Sequence, residues 1–124
     1  MTGEILIVDD QPGIRLLLTD ILANDGYKVT TASNGKEAIE KLQEEPYALI
    51  LLDYKLPIID GVQVLEQIEK ENIIIPVIVM SGLTEKIEKE VKKWPFVKML
   101  LAKPFNIQEI STAVQEITQG FDYE

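Results

Sequence analysis

Neither cysteine nor histidine occurs anywhere in the 124 residues. The first absence excludes a disulfide framework, a thiol nucleophile and thiolate-bound zinc. The second removes imidazole metal ligands, His-based triads and the most usual general base near neutral pH. Aromatic residues make up only 6% of the chain, and Trp94 and Phe96 read as local packing with no cofactor implied. Basic residues are outnumbered, 12 Lys and Arg against 21 Asp and Glu, for a formal net charge of −9. That balance opposes contact with nucleic acid or an anionic membrane and leaves basic or metal-ion partners. Long apolar runs are missing as well. Ile73–Met80 spans eight residues and contains Pro76, against the roughly 20 that a spanning helix needs. Only Ile5–Val8 is apolar before Asp9, which is no signal-peptide pattern, so a reduced, cytoplasmic location is expected. The remaining chemistry must run on carboxylates, hydroxyls, lysine and backbone.

What is present has the order of an α/β domain. The composition, 46% hydrophobic and 27% charged, is that of a globular chain. One domain is expected over residues 1–124, with a frayed acidic tail over 119–124. Short apolar runs predict strands over Glu4–Val8, Lys28–Ala32, Ala48–Leu52, Pro76–Met80 and Val97–Leu101. Three of them are continuously apolar, as when both faces of a parallel sheet are covered. Helical stripes lie between, at Ile14, Leu17, Leu18, Ile21 and Leu22, and at Ile107, Ile110, Val114 and Ile117. Asn34 with Glu37, Asp60 with Gln63, and Asn106 with Glu109 resemble capping boxes, and Thr84 is expected to cap the fourth helix. Trp94-Pro95 is expected to end that helix. The pattern predicts five βα units in one doubly wound parallel sheet.

The residues that follow each run carry the chemistry. Asp9-Asp10 follows the first, Asp53 the third, Ser81 the fourth and Lys103-Pro104 the fifth. Parallel strands place these ends on one edge, where open α/β sheets bind ligands. Two like charges roughly 4 Å apart repel by about 4 kcal/mol at an effective dielectric of about 20. Three converging carboxylates therefore call for a hard divalent cation, and oxygen-only ligands suit Mg²⁺. An Asp beside such an ion can attack phosphorus, while Lys and Ser neutralise and bond phosphoryl oxygens. The set reads as phosphoryl transfer onto a carboxylate.

These residues, with Leu52–Gly61 (LDYKLPIIDG), Ser81-Gly82 and Lys103-Pro104-Phe105, resemble the receiver domain of two-component response regulators over essentially the whole chain. The resemblance implies a flavodoxin-like (βα)5 fold with strand order 2-1-3-4-5. It implies that Asp53 is the phosphoacceptor, with Lys103 and Ser81 holding the phosphoryl group. Asp9, Asp10, Asp53 and the backbone carbonyl of Lys55 would bind Mg²⁺ or Mn²⁺. By the same analogy the Lys103–Pro104 bond is cis. Gln11–Leu18 (QPGIRLLL), Lys55 and the KPF segment are most similar to the stand-alone regulators of sporulation phosphorelays. The implied partners are a sensor histidine kinase, a histidine phosphotransferase and an aspartyl-phosphate phosphatase. The missing histidine agrees, since a relay intermediate takes imidazole from its partners on both sides.

Leu100 departs from the family, many of whose members carry an aromatic switch residue there. A stand-alone chemotaxis-type receiver, acting by phosphorylation-dependent binding, is the alternative. A dehalogenase-type phosphatase would need Asp where Lys55 stands, and the DDQPG loop lacks the hydroxyl-rich cradle of a flavin carrier. The first helix has more apolar residues than one stripe needs, Leu16 among them. A partner surface is therefore expected on Gln11, Pro12, Gly13, Ile14, Arg15 and Leu18, joined by Leu83, Pro104 and Phe105.

Overall fold

The computed structural model describes residues 3–119. Strands β1 (Glu4–Val8), β2 (Lys28–Ala32), β3 (Leu49–Asp53), β4 (Val77–Ser81) and β5 (Val97–Ala102) alternate with five helices. These are α1 (Pro12–Asn24), α2 (Gly35–Glu44), α3 (Gly61–Lys70), α4 (Thr84–Val91) and α5 (Ile107–Gln119). The strands form one parallel sheet in the order β2-β1-β3-β4-β5. Side chains alternate across the pleat. Ile5, Ile7, Leu49, Leu51, Ile78 and Met80 pack against Leu18, Leu22, Ile110 and Val114 of α1 and α5. Leu6, Val8, Ile50, Leu52, Val77 and Val79 pack against Ala38, Leu42, Leu65, Ile68 and Ile87 of α2, α3 and α4. The central strand β3 and its neighbour β4 are buried at every position, which is why their sequences show no polar alternation.

Most boundaries fall where the sequence puts them, with informative exceptions. β3 and β4 each start and end one residue later than the apolar runs do, and β5 reaches Ala102. Asp53 and Ser81 are therefore the last ladder residues, not the first loop residues. Their backbones pair with Met80 and Ala102, and a ladder hydrogen bond is indifferent to the polarity of the side chain. Thr84 does not cap α4. Leu83 holds that position without a side-chain bond, and the Ser81 hydroxyl accepts the Leu83 N–H at 2.9 Å instead. α4 ends at Val91, ahead of the buried Trp94.

The other caps form. The Asn34 side chain accepts the Glu37 N–H at 2.8 Å, while Glu37 reaches back to the Ser33 N–H. Gln63 accepts from the Asp60 N–H at 3.0 Å, and Asn106 and Glu109 bond reciprocally at 2.8 and 3.0 Å. Leu17 and Ile107, read as stripe residues, are exposed, so the buried stripes of α1 and α5 are narrower than their apolar patterns. α5 takes in Gln119, and Gly120–Glu124 of the expected tail lies outside the described residues. Among the described residues, no helix is long and apolar enough to cross a membrane.

Candidate functional site

Backbone bonds carry the sheet's order into the loops at its carboxyl edge. The Asp9 N–H donates to the Ala32 carbonyl at 3.1 Å, Tyr54 N–H to Met80 at 3.0 Å, and Lys103 N–H to Ser81 at 2.9 Å. These bonds fix the bases of the four polar side chains, and Lys103 precedes Pro104 through a cis peptide bond. Asp9, Asp10 and Asp53 each bring a carboxylate oxygen within 4.8 Å of the other two. Asp9 and Asp53 are buried and Asp10 is exposed.

Lys103 bridges the buried pair. Its ammonium donates to Asp9 Oδ2 at 2.7 Å and lies 3.3 Å from Asp53 Oδ2. The other Asp9 oxygen accepts the Gln11 N–H at 2.9 Å, so both its oxygens are engaged. Arg15 Nη1 donates to the Asp9 carbonyl at 2.8 Å, tying α1 to the same strand end.

The electrostatics are unbalanced. One ammonium faces three carboxylates. Burial, then the charge of Asp9, push the Asp53 carboxyl up to about 6, against the opposing pull of Lys103 and the Lys55 N–H. Burial alone depresses the Lys103 ammonium, but its hydrogen bond to Asp9 and the charges of Asp53 and Asp9 hold it above the ordinary lysine value. The acceptors are all hard oxygens, and Asp10 opens the cluster to solvent. That donor set fits a hard divalent cation such as Mg²⁺ or Mn²⁺, which keeps waters and takes few carboxylates. Ser81 lies at the neighbouring strand end. Its oxygen accepts from Leu83, which leaves its own proton free to donate.

The expected partner surface is reached only in part. Gln11, Pro12, Gly13 and Pro104 are exposed, and Leu83 is 48% exposed. Ile14 and Phe105 are half-buried against the core between the sheet and helices α1 and α5, and Arg15 is half-buried on its Asp9 bond. Leu18 is fully buried and belongs to that core, so it leaves the set. A helix turns about 100° per residue, and the exposed apolar surface of α1 falls on Leu16, at 65%, and Leu17. No local sequence signal marks the bond of Arg15 to the Asp9 carbonyl, six residues back in the chain. A cavity of about 360 Å³ lies at the opposite end of the sheet, lined by residues 42–47 and 73–75.

Comparison with known proteins agrees with this geometry. Residues 5–115 match the family model of the response regulator receiver domain. The chain is 38% identical to sporulation initiation phosphotransferase F of Bacillus subtilis, over 94% of both chains. It is 34% identical to the alkaline phosphatase synthesis transcriptional regulatory protein PhoP of the same organism, over 94% of this chain. It spans about half, 49%, of that relative's length. Among solved structures, response regulator TrrA of Thermotoga maritima, in complex with Mg²⁺ and BeF, superposes with a TM-score of 0.82 at 32% identity, covering 92% of this chain and 97% of that one.

Proposed function

Because the chain belongs to the response regulator receiver domain family, whose members partner with sensor histidine kinases, we propose that Asp53 accepts a phosphoryl group from a kinase phosphohistidine and passes it to the histidine of a phosphotransferase. In the loading step the P–N bond of the donor breaks, a P–O bond to an Asp53 oxygen forms, and the imidazole leaves with a proton. The second transfer is the reverse reaction on another imidazole. Asp9, Asp10, Asp53 and the Lys55 carbonyl would hold Mg²⁺, which when bound would supply positive charge to the phosphoryl oxygens.

Each residue of the chain then has a distinct task. Asp53 is recessed, with 9% of its side chain exposed, so water has little access to the new acyl phosphate. Lys103 is held between Asp9 and Asp53, and on loading it can turn its charge to the phosphoryl group without moving its stem. Ser81 supplies a hydroxyl donor from the next strand. The observation that carries the reading is the convergence of Asp9, Asp10 and Asp53 with Lys103 between the buried two.

The relay role is supported by the likeness to a sporulation phosphotransferase along 94% of both chains. Leu100 supports it too, since an aliphatic, half-buried residue offers no ring for an aromatic switch. Residues 1–124 act in this reading as one receiver domain, and a phosphatase acting on aspartyl phosphate would drain the signal. Asp53→Asn is expected to abolish acid-labile, Mg²⁺-dependent phosphorylation by a small phosphodonor. Loading of the variant at the wild-type rate would remove the assignment.

Lys55 and Leu83 each lie two residues beyond a site residue and are both exposed. They flank the approach of water to the loaded Asp53. Leu83→Ser is expected to shorten the phosphate half-life severalfold, checked by following decay after donor removal. An unchanged half-life would show that water arrives by another route.

A further inference from the structure

Among the described residues, two that are not glycine have positive φ, Asn72 at 54° and Ile58 at 70°. Asn tolerates that region because its short polar side chain can bond locally. A β-branched residue does not. The Ile59 N–H donates to the Pro57 carbonyl at 2.8 Å, so Ile58 is the centre of a three-residue turn of the strained, positive-φ kind. The residue is 74% exposed, so little packing of its own repays the strain.

The loop is clamped on both sides. Tyr54 is tied to β4, the Gly61 N–H returns to the Tyr54 carbonyl at 3.1 Å, and Asp60 caps α3. The two ends of the loop thus meet one residue beyond Asp53, which holds Ile58 in the short loop that leaves the Asp53 strand end. Leu83 stands on the loop of the adjacent strand. Glycine would hold the same turn without strain. A bulky aliphatic group kept exposed in that conformation, in the loop that leaves a reactive strand end, points to a contact.

We propose that Ile58 is a specificity-determining residue for phosphoryl exchange with protein partners, resting on the assignment of Asp53 as acceptor. The carboxylate is recessed and the chain has no histidine, so the imidazole must project inward from a partner's surface. The apolar surface around that imidazole then covers this loop, and Ile58 is buried beneath it. A small phosphodonor enters the recess without that contact.

The test compares wild type, Ile58→Gly and Ile58→Val with two kinds of donor and Mg²⁺. One is phosphoramidate, and the other is whichever of a panel of autophosphorylated histidine kinases loads the wild type fastest. Ile58→Gly is expected to load from phosphoramidate at the wild-type rate and from the kinase about tenfold more slowly, the effect of truncating an interface anchor. Ile58→Val restores most of the kinase rate, and the melting temperature of Ile58→Gly is equal to or above that of the wild type. A kinase rate within about twofold of wild type overturns the proposal, and so does an equal fall with both donors. A wild type loaded by phosphoramidate and by none of the kinases also overturns it, because the contact then has no donor to serve. If phosphoramidate loads no variant and no wild type, it is the Asp53 assignment that fails.

Discussion

Asp53→Asn is expected to stabilise the metal-free protein at about pH 7.5 by about 1–3 kcal/mol, although it removes the reactive group. The Asp53 carboxyl is pushed up to about 6 from an ordinary value of 3.8, by burial first and by Asp9 second. A raised carboxyl pKa means that the folded chain binds more protons than the unfolded chain between those two values. Stability therefore falls as pH rises through that window, and the full penalty is present above about 6. Asparagine has nearly the same shape and carries no charge, so it escapes the penalty. Below the ordinary carboxyl value both side chains are neutral and the two proteins should have the same stability. Adding Mg²⁺ reverses the ranking, because an ion that binds only the folded wild type stabilises it by mass action. Urea unfolding near pH 3.5 and 7.5, with chelator or with Mg²⁺, reads all of these effects. A variant less stable than wild type in chelator at the higher pH would mean that Lys103 outweighs burial and Asp9, contrary to the charge balance of the site.

That balance was legible in the sequence because it depends on topology alone. Once runs of residues are read as parallel strands, Asp9, Asp53, Ser81 and Lys103 must meet at one edge. The details that escaped reading depend on where individual backbones and side chains settle. Apolar residues on α1 outnumber the buried face, and periodicity does not say that Leu18 goes inside while Leu16 and Leu17 stay out. Cap chemistry suggests Thr84, yet the Ser81 hydroxyl two residues before the cap takes the Leu83 N–H. The positive φ of Ile58 runs against residue type, so the clamped loop overrides local preference and no local signal reveals it. The close approach of the Ile59 carbonyl to Gly35 is a tertiary contact, and a lone glycine after Asn34 looks like an ordinary turn residue.

That contact makes Gly35→Ala the substitution with the largest expected cost to the fold. A Cβ at Gly35 would stand 1.8 Å from the Ile59 carbonyl oxygen and 2.6 Å from its carbon. Both are backbone atoms, so no rotamer change makes room. Neither side can easily withdraw. Gly35 opens α2 beneath the Asn34 cap, and Ile59 is held by its bond to Pro57 and by the return of Gly61 to Tyr54. Moving the loop would also strip contacts of Ile59 from the core beside α2 and α3. The expected destabilisation is about 3 kcal/mol, at the upper end for an overpacked site, with a fall in melting temperature of about 10 °C or more. The same loop carries Lys55, whose carbonyl is assigned to the Mg²⁺ site, so loading from a small phosphodonor should slow as well. Gly13→Ala is the counterpart. Gly13 lies in the first turn of α1 with nothing within 4 Å of an added Cβ. There the methyl group only lowers the entropy of the unfolded chain, for a gain of about 0.5–1 kcal/mol. Identical chemistry thus has opposite signs at the starts of two helices. Equal melting temperatures for the two variants would mean that the loop after β3 yields freely, and the clamp invoked for Ile58 would go with it.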